Sequence, residues 1–172
     1  PDYVALTIAR FDALPVRRAV GGYHCSRYYR PGFSLRPKAF RAWAVYHLHP
    51  HKVARYRHVT GFRHQVDRPI VVDQVGTGAA ILRGRDAPPY DYVRTAQKFV
   101  DVRLAKWCAE HGITPVALPG AADWLGADDD DISIFRTFTS ANHGHVADEI
   151  RSFAYRRANL GQPPAADPAG RG

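Results

Sequence analysis

Residues 68–82, RPIVVDQVGTGAAIL, set a short apolar and β-branched run before Asp73 and a glycine-containing turn directly after it. Such a run, bounded by turn residues, predicts a buried strand ending at Asp73. The aspartate then has two readings. It starts a turn, the commonest use of Asp before glycine, or the strand delivers a carboxylate to a place where chemistry occurs. Its neighbours along the chain decide between them.

Upstream, YVALTIARF (3–11) alternates and is rich in β-formers, which predicts a first strand ending at Asp12. A short helix or turn precedes the glycine pair at 21–22, and YHCSRYYR (23–30) reads as a second strand. SLRPKAFRAWAVYHL (34–48) predicts a helix with Ser34 as its cap, in competition with a strand through the AWAVYHLH segment. Residues 49–68 read as a basic, aromatic connection or exposed edge. Downstream, Val93, Ala96, Val100, Leu104 and Trp107 fall three or four apart, predicting a helix over 92–112 closed by Gly112. Strands are expected over 113–119 and 131–140, and a last helix over 145–160. The alternation of types predicts an α/β fold, a mixed central sheet flanked by helices. Residues 1–160 make one domain in this reading, the Pro/Gly/Ala-rich tail 161–172 a disordered end, and the acidic run 127–131 a solvated loop.

Charge narrows the partners. There are 24 Lys plus Arg against 16 Asp plus Glu, a formal +8, and arginine supplies most of the excess. Guanidinium forks match phosphate oxygens and stay charged, so nucleic acid is the expected partner, DNA ahead of RNA. Cys25 and Cys108 have no zinc-ligand spacing and read as reduced thiols of a cytoplasmic protein. No apolar run approaches a membrane span.

Three acids stand at element ends in this reading: Asp12 after the first strand, Asp73 after the central one, and Asp148 in the first turn of the last helix. Hydrolysis by two metal ions needs carboxylates from separate elements meeting at one point, and hard Mg2+ or Mn2+ prefers oxygen ligands. The order and setting of these acids resemble the ribonuclease H-like nuclease fold, in particular the nuclease domain of phage large terminase subunits and the resolvase-type nucleases. IVVDQVGTG (70–78) is similar to that family's strand, Asp and Gly-containing turn, and HGHVADEIRSFAYRR (143–157) to its closing helix. The resemblance implies a two-metal-ion endonuclease acting on DNA, with Asp73 and Asp148 as metal ligands and Asp12 the candidate third. IARFDALP lacks the small residues and glycines that usually surround the family's first acid. No phosphate-binding loop of the P-loop type is present, so a packaging motor would be a separate ATPase, and a virion partner is equally implied.

The basic residues Lys52, Arg55, Arg57 and Arg63, with Arg151, Arg156 and Arg157 on the last helix, are candidates for holding a nucleic-acid backbone. A non-catalytic nucleic-acid-binding or virion-associated structural protein would use the same Arg, His and aromatic surface. A third reading takes His47 and His49 as a His-x-His metal pair, with Tyr92, backed by Lys98, as nucleophile. It requires a strand through residues 43–49.

Overall fold

The computed structural model describes residues 2–61, 63–96, 99–122 and 144–155. The chain opens in a helix, α1 (Tyr3–Asp12), where alternation predicts a strand. Asp2 is the reason: its carboxylate accepts the N–H groups of Val4 at 2.9 Å and Ala5 at 3.4 Å, satisfying donors that have no partner within the helix. Thr7 and Phe11, four residues apart, are buried on one face, while Val4 and Ile8 of the alternating set remain exposed. Asp12 therefore ends a helix, not a strand.

Two strands follow, β1 (Ala19–Gly22) and β2 (Cys25–Tyr28), then α2 (Pro37–Leu48), a 3-10 segment (Pro50–Arg55) and β3 (Arg57–Thr60). The opening stretch yields β4 (Ile70–Val71) and β5 (Gln74–Val75), with β6 (Ala80–Leu82) behind them. The expected helix over 92–112 is divided into α3 (Tyr90–Val93), a 3-10 turn (Arg94–Ala96) and α4 (Val100–Glu110), which Gly112 follows at φ 63°. β7 (Thr114–Ala117) and α5 (Gly144–Phe153) complete the described elements. The strand expected over 131–140, the acidic run and the tail lie outside the described residues.

The fold is mixed α/β. A four-stranded sheet runs β4-β7-β1-β6, with β1 and β7 parallel and the other pairs antiparallel, and a second antiparallel sheet runs β3-β2-β5. Two stretches of chain pass from one sheet to the other. Residues 19–28 do so through Tyr23 and His24, and residues 70–75 through Val72 and Asp73. The crossing is hydrogen-bonded throughout: Val72 N donates to Pro115 O at 3.0 Å, Asp73 N to Ser26 O at 3.0 Å and Gly76 N to His24 O at 2.7 Å. Gly22 is needed where the layers close, since a Cβ there would collide with the Val75 side chain and approach the Ala79 carbonyl to 3.0 Å.

The helices cover this crossing. Leu104, Ala105 and Cys108 of α4 are buried, Leu104 and Cys108 against Val20, Val72 and Val75. α5 buries Val146, Ala147, Ile150 and Phe153 against Tyr28 and Val53, with the Phe153 ring edge-on to Tyr28 at 6.0 Å. Burial of Ile150 and Phe153 contributes about 1.5–3 kcal/mol each. α2 is the exception. None of its twelve residues is buried.

Candidate nucleic-acid interface

The three acids occupy three different settings. Asp73 is 5% exposed. Its Oδ2 accepts the Tyr28 N–H at 2.7 Å and its Oδ1 the Tyr155 N–H at 3.1 Å. A carboxylate used in this way ties β2 to the chain just past the last turn of α5. Asp148 lies on the outer side of α5, with a 76% exposed side chain ion-paired to Arg151 at 2.6 Å. It lies five residues before the helix end at Phe153, about 7.5 Å along the axis. Asp12 is exposed and paired with Arg83 at 2.8 Å. Among the described residues no three His, Cys, Asp or Glu side chains make a group able to hold a metal ion.

The His-x-His reading loses the strand it requires, because residues 43–48 are helical and His49 follows the helix end. Tyr92 donates its hydroxyl to Glu110 at 2.9 Å, and burial, then that carboxylate, raises its pKa, the opposite of what a nucleophile needs. Lys98 lies outside the described residues. Cys25 and Cys108 are free and buried, and burial pushes both thiols up to about 12. Neither is set up as a nucleophile.

What the fold does assemble is a run of rings. Phe33 meets Trp43 at 5.2 Å and Phe40 at 6.2 Å, Trp43 meets His47 at 4.9 Å, and His47 meets Tyr46 at 5.2 Å. Tyr46 continues to Tyr56 at 5.3 Å, Tyr56 to Tyr29 at 6.0 Å, and Tyr29 stacks on His58 at 4.7 Å. These are spacings of ordinary edge and stacked ring pairs. The helix supplies Phe40, Trp43 and His47 at three- and four-residue intervals, and the antiparallel pairing of β2 with β3 brings in Tyr29 and His58. Phe33 is 62% and Phe40 45% exposed, with Leu35 at 85% beside them in the chain.

Charge follows the same ground. The 54 residues from Ala13 to Val66 contain no Asp or Glu and eleven Lys or Arg, so the whole positive excess of the chain arises here. Arg36, Lys38 and Arg41 lie at the start of α2, and Lys52 and Arg55 on the 3-10 segment beyond it. Arg55 is exposed, as is Arg63. Arg57 is half-buried and turned inward, hydrogen-bonded to the Tyr28 side chain. Arg151 is engaged by Asp148, and Arg156 and Arg157 lie outside the described residues.

Sequence patterns did not single out the polar cluster at the bend between β1 and β2. Gly61 N donates to His64 Nδ1 at 3.1 Å, which fixes the His64 proton on Nε2. A Cβ on Gly61 would meet His24 Nδ1 at 3.6 Å and His64 Nδ1 at 3.8 Å, so the two rings flank one glycine. Asp101 Oδ1 accepts both the N–H and the hydroxyl of Thr77, at 3.0 and 2.5 Å. Burial, then Arg57, lowers the His24 pKa against the raising influence of Asp101. Asp86, 1% exposed and paired with Arg18 at 2.8 Å, was also missed, since nothing local distinguishes it from a turn aspartate. Among the described residues no helix is long and apolar enough to cross a membrane. No family model matches the chain, and no curated protein matches it either.

Proposed function

We propose that the chain binds single-stranded nucleic acid along the face formed by α2, the 3-10 segment and the β2–β3 pair. The observation that carries this reading is the ring run from Phe33 to His58, continuous through eight side chains, in a stretch with no acid. Bases stack on aromatic faces whatever their sequence, and Lys and Arg beside the rings take the phosphates. The test is fluorescence polarisation of a labelled twelve-base oligo(dT), about one contact per ring and basic side chain, titrated at increasing salt. Binding is expected to weaken linearly in log–log form, with a slope of about −0.7 per phosphate neutralised, and duplex of equal length should bind less tightly. Oligo(dT) binding that is indifferent to salt, or retained in full by the double variant Phe40→Ala, Trp43→Ala, overturns the reading. Preference for anionic vesicles over oligonucleotide would assign the face to a membrane surface instead.

Metal-dependent cutting by a ribonuclease H-like site, which the sequence resemblance implies, draws support from the mixed sheet alone. The donors do not fit the group. Asp73 spends both oxygens on backbone N–H bonds, Asp148 stands on the outer side of α5, and Asp12 is bound to a guanidinium. Nicking of a plasmid with Mg2+ or Mn2+ tests it, with Asp148→Asn as the informative variant. Asp73→Asn is not informative, because its amide nitrogen would face a backbone N–H and the fold itself would suffer.

A further inference from the structure

The carboxyl end of α1, the segment that follows it and two residues after β6 line a half-open cavity of about 390 Å³. Small-molecule sites span about 300–1,000 Å³, so the size is that of a ligand pocket. Its apolar floor is the smaller part of its surface: Phe11 and Leu14 are themselves buried and Val16 is half-buried. Its rim carries three guanidinium groups, Arg17, Arg83 and Arg85, against one carboxylate, Asp12.

The three arginines are not equally occupied. Arg83 is held from two sides, by Asp12 at 2.8 Å and over the Phe11 ring at 5.7 Å. Arg85 is 68% exposed and reaches the buried Asp86 only at 4.0 Å, while Arg18 already binds the other Asp86 oxygen at 2.8 Å. Arg17 is exposed and makes no hydrogen bond or ion pair with any described residue. The rim is thus short of negative charge by two, even with Asp12 counted. The carboxyl end of α1 adds a partial negative charge near Asp12, which steadies Arg83 without neutralising Arg17 or Arg85. A divalent cation is repelled by this arrangement and an anion attracted.

We propose that this cavity binds a small phosphomonoester that has an apolar body. The guanidinium fork takes two phosphoryl oxygens at once. Two unneutralised arginines suit a dianion better than the single charge of a carboxylate. The floor of Phe11, Leu14 and Val16 receives the body, which inorganic phosphate lacks. The site shares no residue with the ring run, so either one stands if the other fails.

Isothermal titration of the full chain with phenyl phosphate, inorganic phosphate, benzoate and phenol tests the assignment. Phenyl phosphate is expected to bind at one site, more tightly than phosphate or benzoate, and phenol not to bind. Arg17→Gln, which removes a side chain with no partner to lose, should weaken phenyl phosphate about tenfold, the loss of one charge-assisted contact. Lys106→Gln, an equal change of charge on α4, should leave the affinity unchanged. Equal affinity for phosphate and phenyl phosphate removes the role of the floor, and equal affinity for benzoate removes the phosphoryl preference. An effect of Lys106→Gln as large as that of Arg17→Gln reduces the binding to net charge. Each of these outcomes overturns the proposal.

Discussion

Asp73 is 5% exposed, with both oxygens accepting backbone N–H bonds from separate elements, whereas α2 carries three aromatic residues and buries none of its twelve. The two regions lie on the same chain but spend their residues differently. Around Asp73 a charge is taken out of water and compensated inside the protein. A buried carboxylate is tolerable only on those terms. Along α2 the Phe40 ring is left in water and Trp43 is half-buried, while Tyr46 alone of its rings packs against the core. An exposed apolar patch of this kind, edged by cations, marks a surface that is covered by something else. The comparison separates what holds the fold from what the fold holds out.

The sharpest way to break the comparison is to remove its buried half. Asp73→Ala leaves the Tyr28 and Tyr155 N–H groups without their acceptor, at about 1–3 kcal/mol for each. A loss near or above about 3 kcal/mol is therefore expected in urea denaturation, enough to threaten folding of a marginally stable domain. Tyr155 adds to this, since it sits at φ 72°, the left-handed region that a bulky side chain avoids. Its bond to Asp73, and that of its hydroxyl with Tyr46 at 2.8 Å, hold it there. A small loss for Asp73→Ala would make Asp73 dispensable to the fold and reopen its role as a ligand.

The next effect probes the same interior one step outward. Arg103 grips Glu149 through two nitrogens, at 2.6 and 3.1 Å, and joins α4 to α5. The side chains are 21% and 17% exposed, so the pair is less screened than a surface bridge. Glu149→Gln is expected to cost about 1–2 kcal/mol of stability, more than an exposed pair contributes. The Arg151–Asp148 pair supplies the contrast: with Asp148 76% exposed, Asp148→Asn should change stability by less than about 0.5 kcal/mol.

On the outer half the prediction reverses. Trp43→Ala removes a half-buried ring that pairs with the exposed rings of Phe33, Phe40 and His47, so stability should move by no more than about 0.5–1 kcal/mol. Oligo(dT) affinity should fall by about 1–3 kcal/mol, the range for loss of one stacking platform. A Trp43→Ala protein that melts early and still binds would place the ring run in the core after all.

Much of the architecture was legible along the chain, and its failures have identifiable causes. β2, α2, β7 and α5 overlap the segments predicted for them because the periodicity is right, but the ends differ: α2 starts at Pro37 behind Arg36, without the expected Ser34 cap, and α5 ends at Phe153, short of 160. α1 was misread because Val4, Leu6 and Ile8 alternate by chance. The deciding signal was the single capping residue Asp2, one position before the run. The helix expected over 92–112 is divided, with a 3-10 turn over Arg94–Ala96 set between α3 and α4. For the site, the basic and aromatic character of 49–68 was plain, but the ring run was not. Tyr29 and His58 are distant in sequence and meet only through the β2–β3 register. Asp73 was expected to end a buried strand, but it lies between the half-buried β4 and the buried β5, and the two backbone N–H groups it accepts leave no trace in side-chain identity.

The smallest effect lies between the two regions, at the bend where His24 leaves β1 for β2. Burial, and after it the Arg57 guanidinium, lowers the His24 pKa from 6.5, while the Asp101 carboxylate pulls in the opposite direction. With the folded value below the unfolded one, the unfolded chain takes up this proton first as pH falls. His24 therefore contributes no penalty well above pH 6.5, and stability declines as pH drops through 6.5 towards the folded value. Urea midpoints compared at about pH 7.5 and 5.5, either side of the ordinary histidine range, should show this decline. It should be shallower in His24→Gln than in the parent chain. Asp101→Asn removes the one influence that favours the charged ring, so it should steepen the decline, and Arg57→Gln should lessen it. The three slopes form an ordered series whose sign is set by which charges face the ring. An unchanged slope in His24→Gln would assign the decline to another histidine. Asp101→Asn and Arg57→Gln moving the slope in the same direction would mean that their loss acts through the Thr77 and Tyr28 contacts rather than through the field at His24.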